Sequence, residues 1–195
     1  MVGLVGKKRS GKDTVADIFS NYHQFVRYYF ARPIKKALEI IFDWDERHSE
    51  GSLKEIVDPR WGISPREAMQ HLGTEWAQID LPEVYSEFNR VCGRELRVKI
   101  FLQWYERQKI IASFPKTFIK VIITDVRFPH EVEAIRNLGG VIVKVERPEI
   151  DSVDSHESES YIDKIIPNFT FINNVSKEEL KESVLCYIGD LYEKE

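Results

Sequence analysis

Residues Gly6-Lys-Lys-Arg-Ser-Gly11-Lys12 constrain the fold more than any other part of the chain. Two glycines bracket a cationic turn that a lysine closes, which satisfies the pattern G-x-x-x-x-G-K. The apolar run Val2-Gly-Leu-Val5 precedes this turn, and Val15, Ile18, Phe19 and Tyr22 recur at helical spacing behind it. Strand, loop, helix is the frame in which backbone N–H groups turn inward and a helix N-terminus adds partial positive charge. Such a loop cradles a polyphosphate, and Lys12 reaches the β- and γ-phosphates. An exposed glycine-rich turn that carries lysines for solubility is the alternative; it explains neither the frame nor the clustering of cations.

The strand and helix alternation continues on both sides of a helical middle. Residues 25–30 are aromatic and β-branched enough for a second strand, and Pro33 then opens a helix carrying Ile34, Leu38 and Ile41 or Phe42. No strand is expected from about 44 to 114. There Ser64-Pro-Arg-Glu67 is a capping box ahead of the stripe Ala68, Met69, Leu72 and Trp76, and 96–111 reads as a second helix. Phe118 to Thr124 is apolar almost throughout, as in a strand covered on both faces. A helix follows from Pro129 to the stop at Gly139-Gly140, then strands at 141–145 and 169–172. A last helix is capped by Ser176-Lys-Glu-Glu179. The expected fold class is α/β: a P-loop NTPase three-layer sandwich with a mostly parallel five-stranded sheet. A single domain, 1–195, would carry a helical acceptor-binding insertion at about 44–114 and a short lid at about 147–160.

The net charge of −4 disfavours a nucleic-acid partner, whose backbone selects basic surfaces. Local charge is more informative, because Lys7, Lys8, Arg9 and Lys12 crowd together and Arg32, Lys35 and Lys36 form a second group, which suits a small anionic ligand. No apolar run is long enough to span a bilayer and no secretory signal is evident, so a cytoplasmic protein without a membrane partner is expected. Cys92 and Cys186 stand alone and indicate neither disulfide nor zinc site. A homodimer is left open.

The loop departs from its pattern at one point. Asp13 replaces the usual Ser/Thr after the lysine and Thr14 follows, so either the Thr14 hydroxyl holds magnesium or Asp13 holds the ion's water shell or the acceptor phosphate.

Five segments together resemble a known family. They are Gly6 to Thr14, Ala31-Arg-Pro-Ile-Lys35, Arg66-Glu-Ala-Met-Gln-His-Leu-Gly-Thr-Glu-Trp76, Thr124-Asp-Val-Arg-Phe-Pro-His-Glu131 and Ser155-His-Glu-Ser-Glu159. The chain resembles the bacteriophage deoxynucleoside monophosphate kinases of the adenylate-kinase-like class, in which Gly-Lys-Asp-Thr is itself the typical loop ending. The middle of this chain is shorter than in the phage enzymes. A weaker echo of phosphomevalonate kinases lies in Ser10 to Asp13 and in Asp125 and Arg127.

The resemblance implies ATP and Mg2+ as cofactors and a nucleoside monophosphate as acceptor. Arg9, Ser10, Gly11, Lys12, Asp13, Thr14 and Arg147 are then expected at ATP, with Thr14 and Asp13 at the metal and Lys12, Arg127, Asp125 and Asp13 as the catalytic set. Lys8, Ile34, Lys35, Arg66, Gly73, Thr74, Trp76, Arg127 and Glu131 are expected at the acceptor. Asn173-Asn174 are expected at the adenine pocket, and several bland alternatives stay open: an ion pair between Asp125 and Arg127, a solvated Lys35, a first-turn acid at Glu131, a core stripe at Trp76 and a turn at Asn173-Asn174. His156 is given no acid-base duty. Rival functions are a kinase for another phosphorylated small molecule, a P-loop switch, and a DNA-dependent ATPase; the acidic balance disfavours the last.

Overall fold

The computed structural model describes residues 1–113, 118–148 and 161–192 of the 195-residue chain. The residues form two compact units, one from 1–29 with 106–195 and the other from 30–105. The expected helical region of about 44–114 thus corresponds to a unit that begins earlier and ends within a helix. Most of the expected lid, with Ser155 to Glu159, lies outside the described residues.

The first unit is built on five parallel strands: β1 (Val2–Val5), β2 (Val26–Tyr28), β3 (Val121–Ile123), β4 (Val141–Glu146) and β5 (Phe169–Ile172). Their order is β2-β3-β1-β4-β5, with Val2 opposite both Ile122 and Val141. The strands are short because their flanks leave the apolar environment. The run expected from Phe118 becomes a strand only at Val121, since Phe118 is 97% exposed.

Alternation along β1 sorts the sheet's two faces. Val2 and Leu4 join Val15, Ala16 and Phe19 of α1 (Lys12–His23) and the carboxyl-terminal helix (Lys177–Tyr192), through Leu180, Val184 and Ile188, in one apolar cluster. Gly3 faces the other way. A Cβ there would lie 2.7 Å from Ile135 of the helix Pro129–Asn137, so that helix packs directly onto the strand. Helices therefore cover both faces, and the three-layer α/β fold is the one expected.

The second unit is all helix: α2 (Arg32–Ile41), α3 (Glu46–Ser49), α4 (Pro65–Gln70), a π-helix (His71–Asp80), α5 (Leu81–Val84), α6 (Ser86–Val91) and the start of α7 (Leu96–Ala112). We number the helices Pro129–Asn137 and Lys177–Tyr192 α8 and α9. Its core is Ile34, Leu38, Trp44 and Ala68, with Phe42 stacked on Trp44 at 4.5 Å. The Trp44 indole N–H donates to the buried Asp58 carboxylate at 2.8 Å, and Arg60 donates to the same carboxylate, which holds its pKa well below the ordinary range.

One element departs from the expected periodicity. The Ser64 capping box is present, with Ser64 and Glu67 exchanging hydrogen bonds, but the α-helix gives way after Gln70 to i→i+5 bonding. The turn is wider, so residues drift around the axis relative to an α-helix. Gly73, Ala77 and Gln78 become the buried positions, and Trp76, on the expected stripe, is 39% exposed. Buried Gln78 donates its side-chain amide to the Gly73 carbonyl at 3.1 Å.

Phe19 is fully buried and meets Phe25 edge to face at 5.0 Å. Phe19→Ala is expected to lower stability by about 3–5 kcal/mol, read as a shift of the urea midpoint at unchanged slope.

Candidate nucleotide site

The cationic turn connects β1 to α1, and its shape depends on backbone conformations few residues adopt. Gly6 has φ 153° and Gly11 φ 100°. A Cβ on Gly6 would sit 2.3 Å from the Val145 carbonyl oxygen, and one on Gly11 would sit 2.2 Å from Asn173 Nδ2. Glycine is required at both positions by angle and by space. Arg9, between them, also takes a left-handed φ of 64°, and Ser10 N–H donates to the Lys7 carbonyl at 3.2 Å.

Lys12 closes the loop from inside. Its ammonium donates to the carbonyls of Gly6 at 2.6 Å and Lys7 at 2.8 Å, so the charge is fixed at the loop's centre. Asn173, just past β5, ties down the far side by donating to the Ser10 carbonyl at 2.8 Å. Ser10 itself is 3% exposed and contributes through its backbone.

Beside this loop lies a cavity of about 360 Å³, within the size range of small-ligand sites. Arg9, Gly11, Lys12, Asp13 and Thr14 form one wall; Arg147, Asn173, Val175, Lys177 and Leu180 form the other. Every residue expected at ATP except Ser10 lines it. Lys8 is exposed and is not part of the lining. Asn173 serves the cavity and the loop together, beyond the turn role left open for it. Sequence reasoning missed Val175 and Lys177, because a lone valine and a first-turn lysine carry no motif. Four cations around one cavity suit a polyphosphate.

Asp13 has a partner that the motif does not reveal. Its carboxylate pairs with the Arg27 guanidinium from β2, which also holds Asp17 at 2.8 Å. Among the described residues Thr14 has no such partner, and it lines the cavity. Magnesium in such sites takes one or two protein oxygens and completes its shell with phosphate and water. A Thr14 hydroxyl beside the phosphate loop fits that donor set.

Asp125 and Arg127 follow β3 at the carboxyl end of the sheet, where open α/β folds bind ligands. Thr124, Val126 and Phe128 are buried, so Asp125 and Arg127 alternate with them and stay partly accessible. The backbone is pinned: Thr124 N–H donates to Tyr28 and Val126 N–H to Leu4. Glu131 is fully buried, which corrects the alternative of a solvated first-turn acid. Its Oε2 accepts from the Arg127 N–H at 2.8 Å and the Phe128 N–H at 3.1 Å. Glu131 thus holds the turn that carries Arg127, a reason distinct from its expected place at the acceptor.

The residues expected at the acceptor in the helical unit divide into three groups. Ile34 is 7% exposed and belongs to that unit's core. Gly73 is buried behind it, with Ile34 Cγ2 at 3.7 Å from a Cβ built there. Thr74 and Trp76 are accessible, and the core-stripe alternative for Trp76 is overturned by the π-helical turn. Lys35 and Arg66 carry the charge. Lys35 pairs with Glu50 and its side chain is 13% exposed, so it is not the solvated lysine of the alternative. Arg66 forks onto Glu55 Oε1 at 2.7 and 3.1 Å.

With this geometry in hand, relatives carry weight. The model of the deoxynucleotide monophosphate kinase family matches residues 1–61 and 47–184. The chain belongs to the deoxynucleotide monophosphate kinase family. A protein of Acanthamoeba polyphaga mimivirus assigned as such a kinase is 31% identical over 97% of this chain and 96% of its own length. The deoxynucleotide monophosphate kinase of Escherichia phage RB69 is 23% identical over 94% of this chain and 97% of its own. That alignment runs over 239 residues, so the phage enzyme is the longer of the two. A dephospho-CoA kinase from Campylobacter jejuni superposes with a TM-score of 0.46 at 16% identity, over 97% of this chain and 96% of its own. This family member is a kinase, and no helix among its described residues is long and apolar enough to cross a membrane.

Gly11→Ala places a side chain at a left-handed φ and against the Asn173 amide. It is expected to weaken MgATP binding at least tenfold, read with a fluorescent ATP analogue, and to lower the melting midpoint only slightly, by the strain of one residue.

Proposed function

We propose that the kinase transfers the γ-phosphoryl group of ATP to the 5′-phosphate of a deoxynucleoside monophosphate, releasing ADP and the deoxynucleoside diphosphate. The observation that carries this reading is the Lys12 ammonium fixed on the Gly6 and Lys7 carbonyls at the edge of a cation-lined cavity. The names of the relatives supply the acceptor class.

The chemistry joins two anions, so the protein's work is positioning and charge neutralisation. Loop N–H groups and Lys12 hold the β- and γ-phosphates, and Lys12 stabilises charge on the transferring group. Arg9 and Arg147 neutralise the nucleotide from either wall of the cavity. Thr14 would hold magnesium, with Asp125 a second oxygen donor able to hold its water shell; the ion would supply charge neutralisation at the phosphates. Asp13, engaged by Arg27, organises the loop's exit into α1. Arg127, its backbone set by Glu131, forks onto a phosphate oxygen pair of the reacting groups. Lys35, Arg66 and Thr74 receive the acceptor phosphate and Trp76 stacks on its base; Lys8, exposed on the rim of the loop, is a further cation for phosphate. The protein acts in solution, with no nucleic-acid partner.

ADP release measured over a panel of ribo- and deoxynucleoside monophosphates, phosphomevalonate and dephospho-coenzyme A tests the assignment. Turnover is expected with deoxynucleotides, and turnover restricted to a non-nucleotide would overturn it. Lys12→Ala should lower kcat by roughly a hundredfold to a thousandfold, and Arg127→Ala by about a hundredfold, each with an unchanged circular dichroism spectrum. Near-normal turnover in Arg127→Ala would remove that strand end from the site.

A further inference from the structure

The helical unit contains a third cation beside Lys35 and Arg66 that no motif marks. Lys54 follows α3 in an irregular segment, where its N–H donates to the Gly51 carbonyl at 3.3 Å. Its own carbonyl accepts from the Arg66 N–H at 2.9 Å, which fastens the segment to the first turn of α4. Three elements therefore converge: α2 brings Lys35, α4 brings Arg66, and the segment between α3 and α4 brings Lys54.

The three charges are not equivalent. Lys35 is neutralised by Glu50 and Arg66 by Glu55, both through direct ion pairs. Lys54 is half-buried, and among the described residues its ammonium is in no ion pair. Holding a partly desolvated ammonium next to two further cations is unfavourable unless an anion is collected there. Glu50 and Glu55 are 39% and 56% exposed, so water can solvate each carboxylate where a phosphate takes its place on the cation. Three cations face two carboxylates, so one positive charge is left for an anionic ligand such as a phosphate.

We propose that Lys54 is a phosphate-binding residue of the acceptor site, completing with Lys35 and Arg66 a three-cation cradle for the monophosphate group. The proposal rests on the reading of this unit as the acceptor site and adds to it the residue that supplies uncompensated charge. Burial, with Lys35 and Arg66 nearby, pushes the Lys54 ammonium down to about 8; Glu50 and Glu55 act in the opposite direction. The protonated form binds phosphate. Acceptor capture is therefore strongest below about pH 8 and weakens as pH rises through that value.

All four tryptophans, Trp44, Trp61, Trp76 and Trp104, lie within 30–105, so fluorescence excited selectively at tryptophan reports on this unit. The full-length protein and its Lys54→Met and Lys54→Arg variants are titrated with the four deoxynucleoside 5′-monophosphates and with inorganic phosphate, and assayed for turnover. Lys54→Met is expected to raise the acceptor KM and fluorescence Kd on the order of 10- to 100-fold with an unchanged KM for ATP. Lys54→Arg should restore binding and carry it past the pH at which the native protein loses it. Native acceptor affinity in Lys54→Met overturns the proposal. So does an equal loss in Lys54→Arg, which would mark a packing role. Should the native protein phosphorylate no monophosphate at all, the proposed function falls. The cradle is then judged by inorganic phosphate: a response that Lys54→Met abolishes upholds it, and an identical response in both refutes it.

Discussion

The Lys12 ammonium held between the carbonyls of Gly6 and Lys7 is the constraint on which the nucleotide site depends. The ammonium satisfies two loop carbonyls and adds its positive charge to a turn suited to an anion. The arrangement requires the chain to turn left-handed at Gly11 and to pass within touching distance of Val145 at Gly6 and of Asn173 at Gly11. It also requires neighbours that do not yield. β1 is central in the sheet, bonded to β3 on one side and β4 on the other, and the Asn173 amide clamps the Ser10 carbonyl from beyond β5. Binding a triphosphate in such a frame involves little reorganisation, which is what charge stabilisation during phosphoryl transfer demands.

A different strategy serves the turn after β3. Asp125 and Arg127 are accessible because the residues between and around them are buried, and Glu131 fixes the peptide that carries Arg127. A buried carboxylate that accepts two backbone N–H bonds keeps that turn from relaxing toward the helix behind it. Arg27 does comparable work at the start of α1, spanning Asp13 and Asp17.

Much of this was legible in the sequence where local pattern and tertiary role coincide. The phosphate loop, the strand before Asp125, the helix stopped by Gly139-Gly140 and the last helix capped by Ser176 and Glu179 all follow from short-range rules. The misreadings share a cause. Trp76 fell on an α-helical stripe, but the chain switches to i→i+5 bonding after Gln70, and nothing in His71-Leu-Gly-Thr-Glu announces a change of period. Lys54 and Arg27 escaped notice because their significance lies in partners far along the chain, which periodicity cannot register.

The helical unit occupies a single interruption in the sheet unit's chain, between β2 and β3, and those strands are immediate neighbours in the sheet. Val26 faces Val121 and Tyr28 faces Ile123 whatever the intervening segment does. The connection thus behaves as an exchangeable cassette. A change in the length of that segment leaves the pairing beside the phosphate loop in register.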